Sequence, residues 1–131
     1  MDETNAKKEA VERFTVSVGR HAGVIVACAA GELDYESAEL LRRQVGEVWS
    51  ATPSAALVLD LSGLTFCDSR CVGVLVYLLK HSHDQGKVLI LSGLPSQLER
   101  QLLVMGLRSV FRVAPSVDEA IAVVKGLSPE A

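Results

Sequence analysis

The stretch Phe66-Cys67-Asp68-Ser69-Arg70-Cys71-Val72-Gly73-Val74-Leu75 lies where two apolar patterns meet. Before it, residues 56–61 form a short apolar run that predicts a buried strand. After it, apolar side chains recur at helical spacing. The stretch therefore places Ser69 at the mouth of a helix, beside backbone N–H groups that lack internal partners.

A serine at this position is compatible with two roles. Its hydroxyl can act as a plain N-cap of the helix. It can also carry a phosphate, because free N–H groups and the helix dipole both favour negative charge. Asp68 has a similar choice: it either forms the turn or serves the serine, by orienting it or by binding a kinase-borne magnesium ion. The residues alone leave these alternatives open.

Composition limits the class of protein. The 131 residues, 49% of them apolar, suit one domain with one core. The net charge is -3 and the cations are spread along the chain, which argues against nucleic acid as a partner. No apolar run has the length of a membrane span, and residues 1–8 are polar where a secretory signal would be apolar. We expect a soluble, cytoplasmic protein without membrane insertion.

The cysteines and histidines give no sign of a metal or cofactor. Cys28, Cys67 and Cys71 are an odd number without metal-site spacing, so we expect reduced thiols and no disulfide framework. His81 and His83 lie in a polar helix exit with no further ligand at suitable spacing. No metal centre and no cofactor are predicted.

The first half of the chain predicts a hairpin followed by a crossover. Residues 1–13 mix charges with few large apolar side chains and are expected to form a flexible tail. Alternation at residues 14–18 and a buried run at residues 24–29 predict two paired strands. Asp34 is then the predicted N-cap of a helix that leads to the strand at residues 56–61. Strand, helix and strand in this order indicate a partly parallel sheet.

The second half continues the alternation of helices and strands. A buried helix follows Ser69, a short strand is expected at residues 87–91, and an edge strand is possible at residues 110–113, with a helix after each strand. We predict one α/β domain at residues 14–126, a mixed sheet of about four to five strands backed by about four helices. Residues 127–131 are expected to form a C-terminal tail.

Two motifs carry a resemblance to a known family. They are Gly31-Glu32-Leu33-Asp34 and Asp60-Leu61-Ser62-Gly63-Leu64-Thr65-Phe66-Cys67-Asp68-Ser69. Together they resemble the STAS domains, in which a strand runs into an Asp-Ser-Ser-Gly or Asp-Ser-Thr-Gly turn. The chain is most similar to the single-domain anti-sigma factor antagonists of bacteria, over roughly residues 14–124. The resemblance implies a STAS-like fold.

The resemblance also implies a partner switch. In that family the unmodified antagonist binds an anti-sigma factor, often itself a serine kinase, and so frees a sigma factor to direct transcription. The kinase phosphorylates the first serine of the turn, which corresponds here to Ser69, and a PP2C-type phosphatase removes the phosphate. On this interpretation Ser69 is a substrate, and the expected partner-binding residues are Asp34, Asp68, Ser69, Arg70 and Cys71.

Arg70 and Cys71 depart from the family pattern, which has small residues and a glycine there. Arg70 could neutralise the phosphate, pair with Asp68, or block a kinase cleft built for small side chains. Cys71 replaces the residue that allows the closest backbone approach. A close variant of the hypothesis is therefore a STAS subunit without the switch. It would act as a scaffold or as a cytoplasmic partner of a lipid-transport ABC system.

An enzyme is the alternative from another class, with Ser69 or Cys71 as nucleophile. It would need a nearby base, yet His21 lies in a predicted turn and His81 is about three turns along the helix. Neither a Gly-x-Ser-x-Gly elbow nor a Walker phosphate loop is present. Cys67 and Cys71 flank Ser69, which is compatible with a redox sensor but is explained more simply by small buried side chains. We expect a binding protein and no enzyme.

Overall fold

One mixed sheet of six strands carries four α-helices in the computed structural model, which describes residues 7–11, 13–52 and 54–127. The elements, in chain order, are β1 (Lys7–Val11), β2 (Phe14–His21), β3 (Val24–Leu33), α1 (Tyr35–Ala51), β4 (Ala56–Cys67), α2 (Ser69–Asp84), β5 (Val88–Ser92), α3 (Ser96–Val104), a short 3-10 helix (Arg108–Val110), β6 (Arg112–Ala114) and α4 (Val117–Leu127). The predicted mixed α/β architecture is confirmed, with one strand more than expected.

The strands follow one another across the sheet in sequence order. β1, β2 and β3 pair antiparallel, whereas β3, β4, β5 and β6 pair parallel. Parallel neighbours require crossover connections, which α1, α2 and α3 provide. Because β3 and β4 run in the same direction, α1 and α2 begin at the same edge of the sheet. This topology brings the Asp34 loop and the Ser69 turn together.

Strand β1 corrects the prediction that residues 1–13 form a tail. Lys7–Val11 pairs antiparallel with β2, from Lys7 opposite Val18 to Val11 opposite Phe14. The sequence pattern did not predict this strand because it contains two lysines and a glutamate. Charged residues are typical of an edge strand, which gains its hydrogen bonds from a single neighbour. Arg13 turns the chain with a φ of 68°. Residues 1–6 lie outside the described part of the chain.

Strands β3 and β4 are longer than the sequence predicts. Their ends, predicted at residues 29 and 61, lie at Leu33 and Cys67, which face each other in the parallel register. Two register shifts, each with one extra residue on β4, occur in the part of the pair where small and polar residues had indicated the strand ends. Gly63 allows the strands to approach there, because an added Cβ would lie 2.9 Å from that of Ala30. As a result, only Asp68 separates β4 from α2.

The sheet buries apolar side chains on both faces. One face packs against α1, α2 and α3, and Leu41, Leu75 and Leu98 are fully buried there. The other face packs against α4 through a smaller cluster that includes Val58 and Ile121. The Ser69 turn is therefore anchored between two strongly buried elements, β4 and α2.

The last helix reaches the predicted C-terminal tail. Helix α4 extends to Leu127, the first residue of the predicted C-terminal tail, and residues 128–131 lie outside the described part of the chain. Within the described residues, the helices are too short or too polar to span a bilayer.

Candidate functional site

Asp68 is the N-cap of α2, a role for which the sequence had offered Ser69. Its Oδ1 accepts a hydrogen bond of 2.9 Å from the backbone N–H of Arg70, and its Oδ2 accepts one of 2.9 Å from Arg70 Nη1. Both carboxylate oxygens are thus engaged. The N-cap interpretation of Ser69 is wrong because the aspartate before it already occupies that position.

Ser69 is the first residue of α2 and is exposed. Its hydroxyl has no hydrogen-bond partner among the described residues. The backbone N–H groups of a first helical turn lack intrahelical partners, and the dipole of α2 points its positive end to this position. The hydroxyl is thus accessible to a transferase, and its surroundings tolerate an added anion.

Arg70 is held close to the turn by two contacts. Its guanidinium pairs with Asp68, and the guanidinium carbon lies 5.6 Å from the centre of the Tyr35 ring. Of the roles open to Arg70, pairing with Asp68 is the one that the structure shows. The pair is more than half exposed on the arginine side, so it contributes little to stability.

Cys67 and Cys71 lie beneath the turn. Both are buried, Cys71 completely, and all three cysteines of the chain are unpaired. The prediction that Cys71 takes part in partner binding is wrong for its side chain, because packing under α2 removes it from the surface. Burial raises the pKa of both thiols. This shift disfavours the thiolate that a nucleophile or a redox sensor would need.

Asp34 is the N-cap of α1, as predicted. Its side chain accepts a hydrogen bond from the backbone N–H of Ser37, and the Ser37 hydroxyl accepts one from the backbone N–H of Asp34. The hydrogen bond from the Ser37 backbone N–H, followed by that from the Ser37 hydroxyl to Oδ1, lowers the pKa of Asp34. Its neighbour Tyr35 contacts Arg70, so the Asp34 loop lies beside the Ser69 turn, as the family resemblance implied.

Exposed apolar side chains flank Ser69 on both sides, and sequence reasoning missed them. Tyr35, at the start of α1, is 67% exposed, and Val104, at the end of α3, is 81% exposed. Together with Ser69, Arg70 and Met105, they form what we call the Ser69 surface. Exposed apolar groups of this kind are typical of protein interaction sites.

A cleft of about 270 Å³ lies between α2 and α3 on this surface. It is lined by Ser69, Arg100, Gln101, Val104 and Met105. The signal for its apolar wall was present in the sequence. Leu98 and Leu102 form the buried stripe of α3 with a spacing of four residues, so an apolar Val104 falls outside that stripe.

Comparisons with known proteins agree with this fold. A family model described as the STAS domain matches residues 15–120. The anti-sigma-F factor antagonist RsfB of Mycobacterium tuberculosis is 32% identical over 117 residues, covering 89% of this chain and 94% of that protein. An anti-sigma F factor antagonist of Paenibacillus polymyxa is 26% identical over 106 residues, covering 81% of this chain and 88% of that protein. The crystal structure of an anti-sigma factor antagonist from Mycobacterium paratuberculosis has 27% identity and a TM-score of 0.74, covering 88% of this chain and 97% of that one.

Proposed function

This chain belongs to the STAS domain family, and we propose that it is an anti-sigma factor antagonist that docks through the Ser69 surface and is released by phosphorylation of Ser69. The relatives that bear the antagonist name align with most of this chain and of their own length. The observation that carries the proposal is the position of Ser69. Its free hydroxyl is exposed at the start of α2, between Tyr35 on one side and Val104 on the other.

A phosphate at this position would change the surface strongly. It adds a charge of about -1.5 to -2 and three acceptor oxygens. A partner that covers the apolar side chains would have to bury that charge, and an uncompensated buried charge costs several kcal/mol. Since about 1.4 kcal/mol is a tenfold change in affinity, the modification suffices to separate the two proteins. The fold itself need not change.

The proposed cycle makes this chain a substrate and a binding protein, without catalytic activity of its own. In the cytoplasm, the anti-sigma factor or an associated serine kinase transfers the γ-phosphoryl group of ATP to Ser69 Oγ. ADP leaves, and the hydroxyl proton passes to a base of the kinase. A PP2C-type phosphatase then hydrolyses the phosphoserine and restores the docking surface. The sigma factor is free only while the antagonist holds its partner, and in this way the cycle regulates transcription.

Calorimetry with anti-sigma factors encoded in the same genome tests the docking surface. We expect Ser69→Ala to bind like the wild type and Ser69→Glu to bind at least about tenfold more weakly. Ser50→Glu is the matched control, because Ser50 is exposed on α1 near the opposite end of that helix from Tyr35. Equal affinities for Ser69→Glu and Ser50→Glu would show that Ser69 lies outside the interface.

Mass spectrometry tests the modification itself. Incubation with ATP and the cognate kinase is expected to place one phosphate on Ser69, and Ser69→Ala is expected to remain unmodified. Phosphate on another residue, or none with any cognate kinase, would favour the non-switching STAS subunit, such as a scaffold or a partner of a lipid-transport ABC system.

A further inference from the structure

The charge balance at the Ser69 turn is complete before any modification. Asp68 contributes one carboxylate and Arg70 one guanidinium, and these two groups are paired. A phosphate on Ser69 adds about -1.5 to -2 directly beside Asp68. Like charges at this separation repel, so a further cation would add to the stabilisation that the start of α2 gives the phosphate.

Arg70 cannot supply that cation without a loss elsewhere. Two hydrogen bonds of 2.9 Å hold it to Asp68, one from its side chain and one from its backbone, and its guanidinium packs on Tyr35. If the guanidinium moved to the phosphate, Asp68 would lose its partner while a new anion stood next to it. One ion pair would be gained and one lost.

Arg100 has no comparable ion pair among the described residues. It is exposed, lines the same cleft as Ser69, and forms no ion pair with any residue in the described ranges. Its neighbour on α3, Glu99, does not compete for it, since Glu99 Oε2 lies 3.3 Å from Arg108 Nε. Gln101, Val104 and Met105 form the remaining wall of the cleft, so Arg100 is the cation that shares it with Ser69.

We propose that phosphoserine at position 69 is bound within the domain by Arg100, across the cleft between α2 and α3, and that its sequence neighbour Arg70 keeps its pairing with Asp68. This inference rests on the proposed modification of Ser69 and assigns the group that receives it. A phosphate tied to α3 would also bridge the cleft above Val104 and Met105. Release of the partner would then follow from the added charge and from the closure of an apolar docking cleft.

A phosphorus NMR titration of the full-length protein tests the assignment. Phosphoserine is incorporated at position 69 during translation, so that no kinase is needed, and the second pKa of the phosphate is measured. A nearby cation favours the dianion and lowers this pKa, so removing the cation raises it. We expect Arg100→Gln to raise the pKa by about 0.5. The matched control is the double variant Asp68→Asn/Arg70→Gln, which removes both charges of the pair and should raise the pKa by less than about 0.2.

The midpoint of urea unfolding provides a second readout. Arg100→Gln is expected to lower the midpoint of the phosphorylated protein more than that of the unmodified protein, whereas a purely structural arginine would affect both forms equally. An unchanged phosphate pKa in Arg100→Gln, or a larger rise in the Asp68→Asn/Arg70→Gln double variant, would overturn the inference. Neither result tests whether a kinase modifies Ser69 or whether a partner is released. Mass spectrometry tests the modification, and calorimetry tests the release.

Discussion

The starts of α1 and α2 use the same two residue types for different purposes. At α1, Asp34 is the cap and Ser37 is buried, with its hydroxyl 2.7 Å from the backbone nitrogen of Asp34 and 2.9 Å from the carbonyl oxygen of Glu32. At α2, Asp68 is the cap and Ser69 is exposed, with a hydroxyl that has no partner among the described residues. A serine at the third helical position closes the capping box, whereas a serine at the first position is left accessible.

The largest expected contrast is between the stability lost on removing the Ser37 hydroxyl and that lost on removing the Ser69 hydroxyl. Ser37→Ala leaves the Asp34 N–H without its partner in a partly buried setting and should lower the free energy of unfolding by about 1 to 2 kcal/mol. Ser69→Ala should change it by less than about 0.5 kcal/mol, because it removes no hydrogen bond. Urea unfolding of both variants checks the contrast. A loss for Ser69→Ala as large as that for Ser37→Ala would mean that Ser69 is a structural residue.

The cap of α2 should give the next largest effect. Asp68→Ala removes the acceptor of the Arg70 backbone N–H and is expected to lower the free energy of unfolding by about 1 kcal/mol. Asp68→Asn keeps an oxygen acceptor and should retain most of the stability. If the two variants were equally unstable, the charge of Asp68 and its pairing with Arg70 would matter more than the cap.

The cap of α1 predicts a smaller, pH-dependent effect. The hydrogen bonds from Ser37, that from its backbone N–H first, lower the pKa of Asp34 below its ordinary value of 3.8. A carboxylate whose pKa is lower in the folded state stabilises the fold above its unfolded pKa, and this contribution is lost as the pH falls through the folded pKa. The stability of the wild type relative to Asp34→Asn should therefore decrease between pH 5.5 and pH 3. An equal difference at both pH values would contradict the assignment.

Sequence reasoning could predict the elements that local patterns encode. The alternation of apolar and polar residues predicted β2, and the apolar run at residues 56–61 predicted the buried half of β4. Asp34 was predicted as a cap because apolar residues recur at helical spacing after it. The motif around Asp68 and Ser69 predicted the turn and the start of α2. These features depend on side chains close together in sequence.

The remaining features depend on contacts between distant parts of the chain. Strand β1 is polar and exists because β2 offers it hydrogen bonds, and the long end of β4 exists because β3 runs beside it. The burial of Cys71 follows from the packing of α2 on the core. The cleft that joins Ser69 to Arg100 needs α3 in its place, and no local pattern shows which residue of α3 lies next to Ser69.

Hydrogen exchange of the domain in complex with its anti-sigma factor tests the central claim most directly. The account predicts slower exchange at the start of α1, at the turn between β4 and α2, and at the end of α3, where the Ser69 surface lies. The exchange of α4, on the opposite face of the sheet, should remain unchanged. Protection confined to α4 and its face of the sheet, with the Ser69 turn exchanging as in the free domain, would contradict the account.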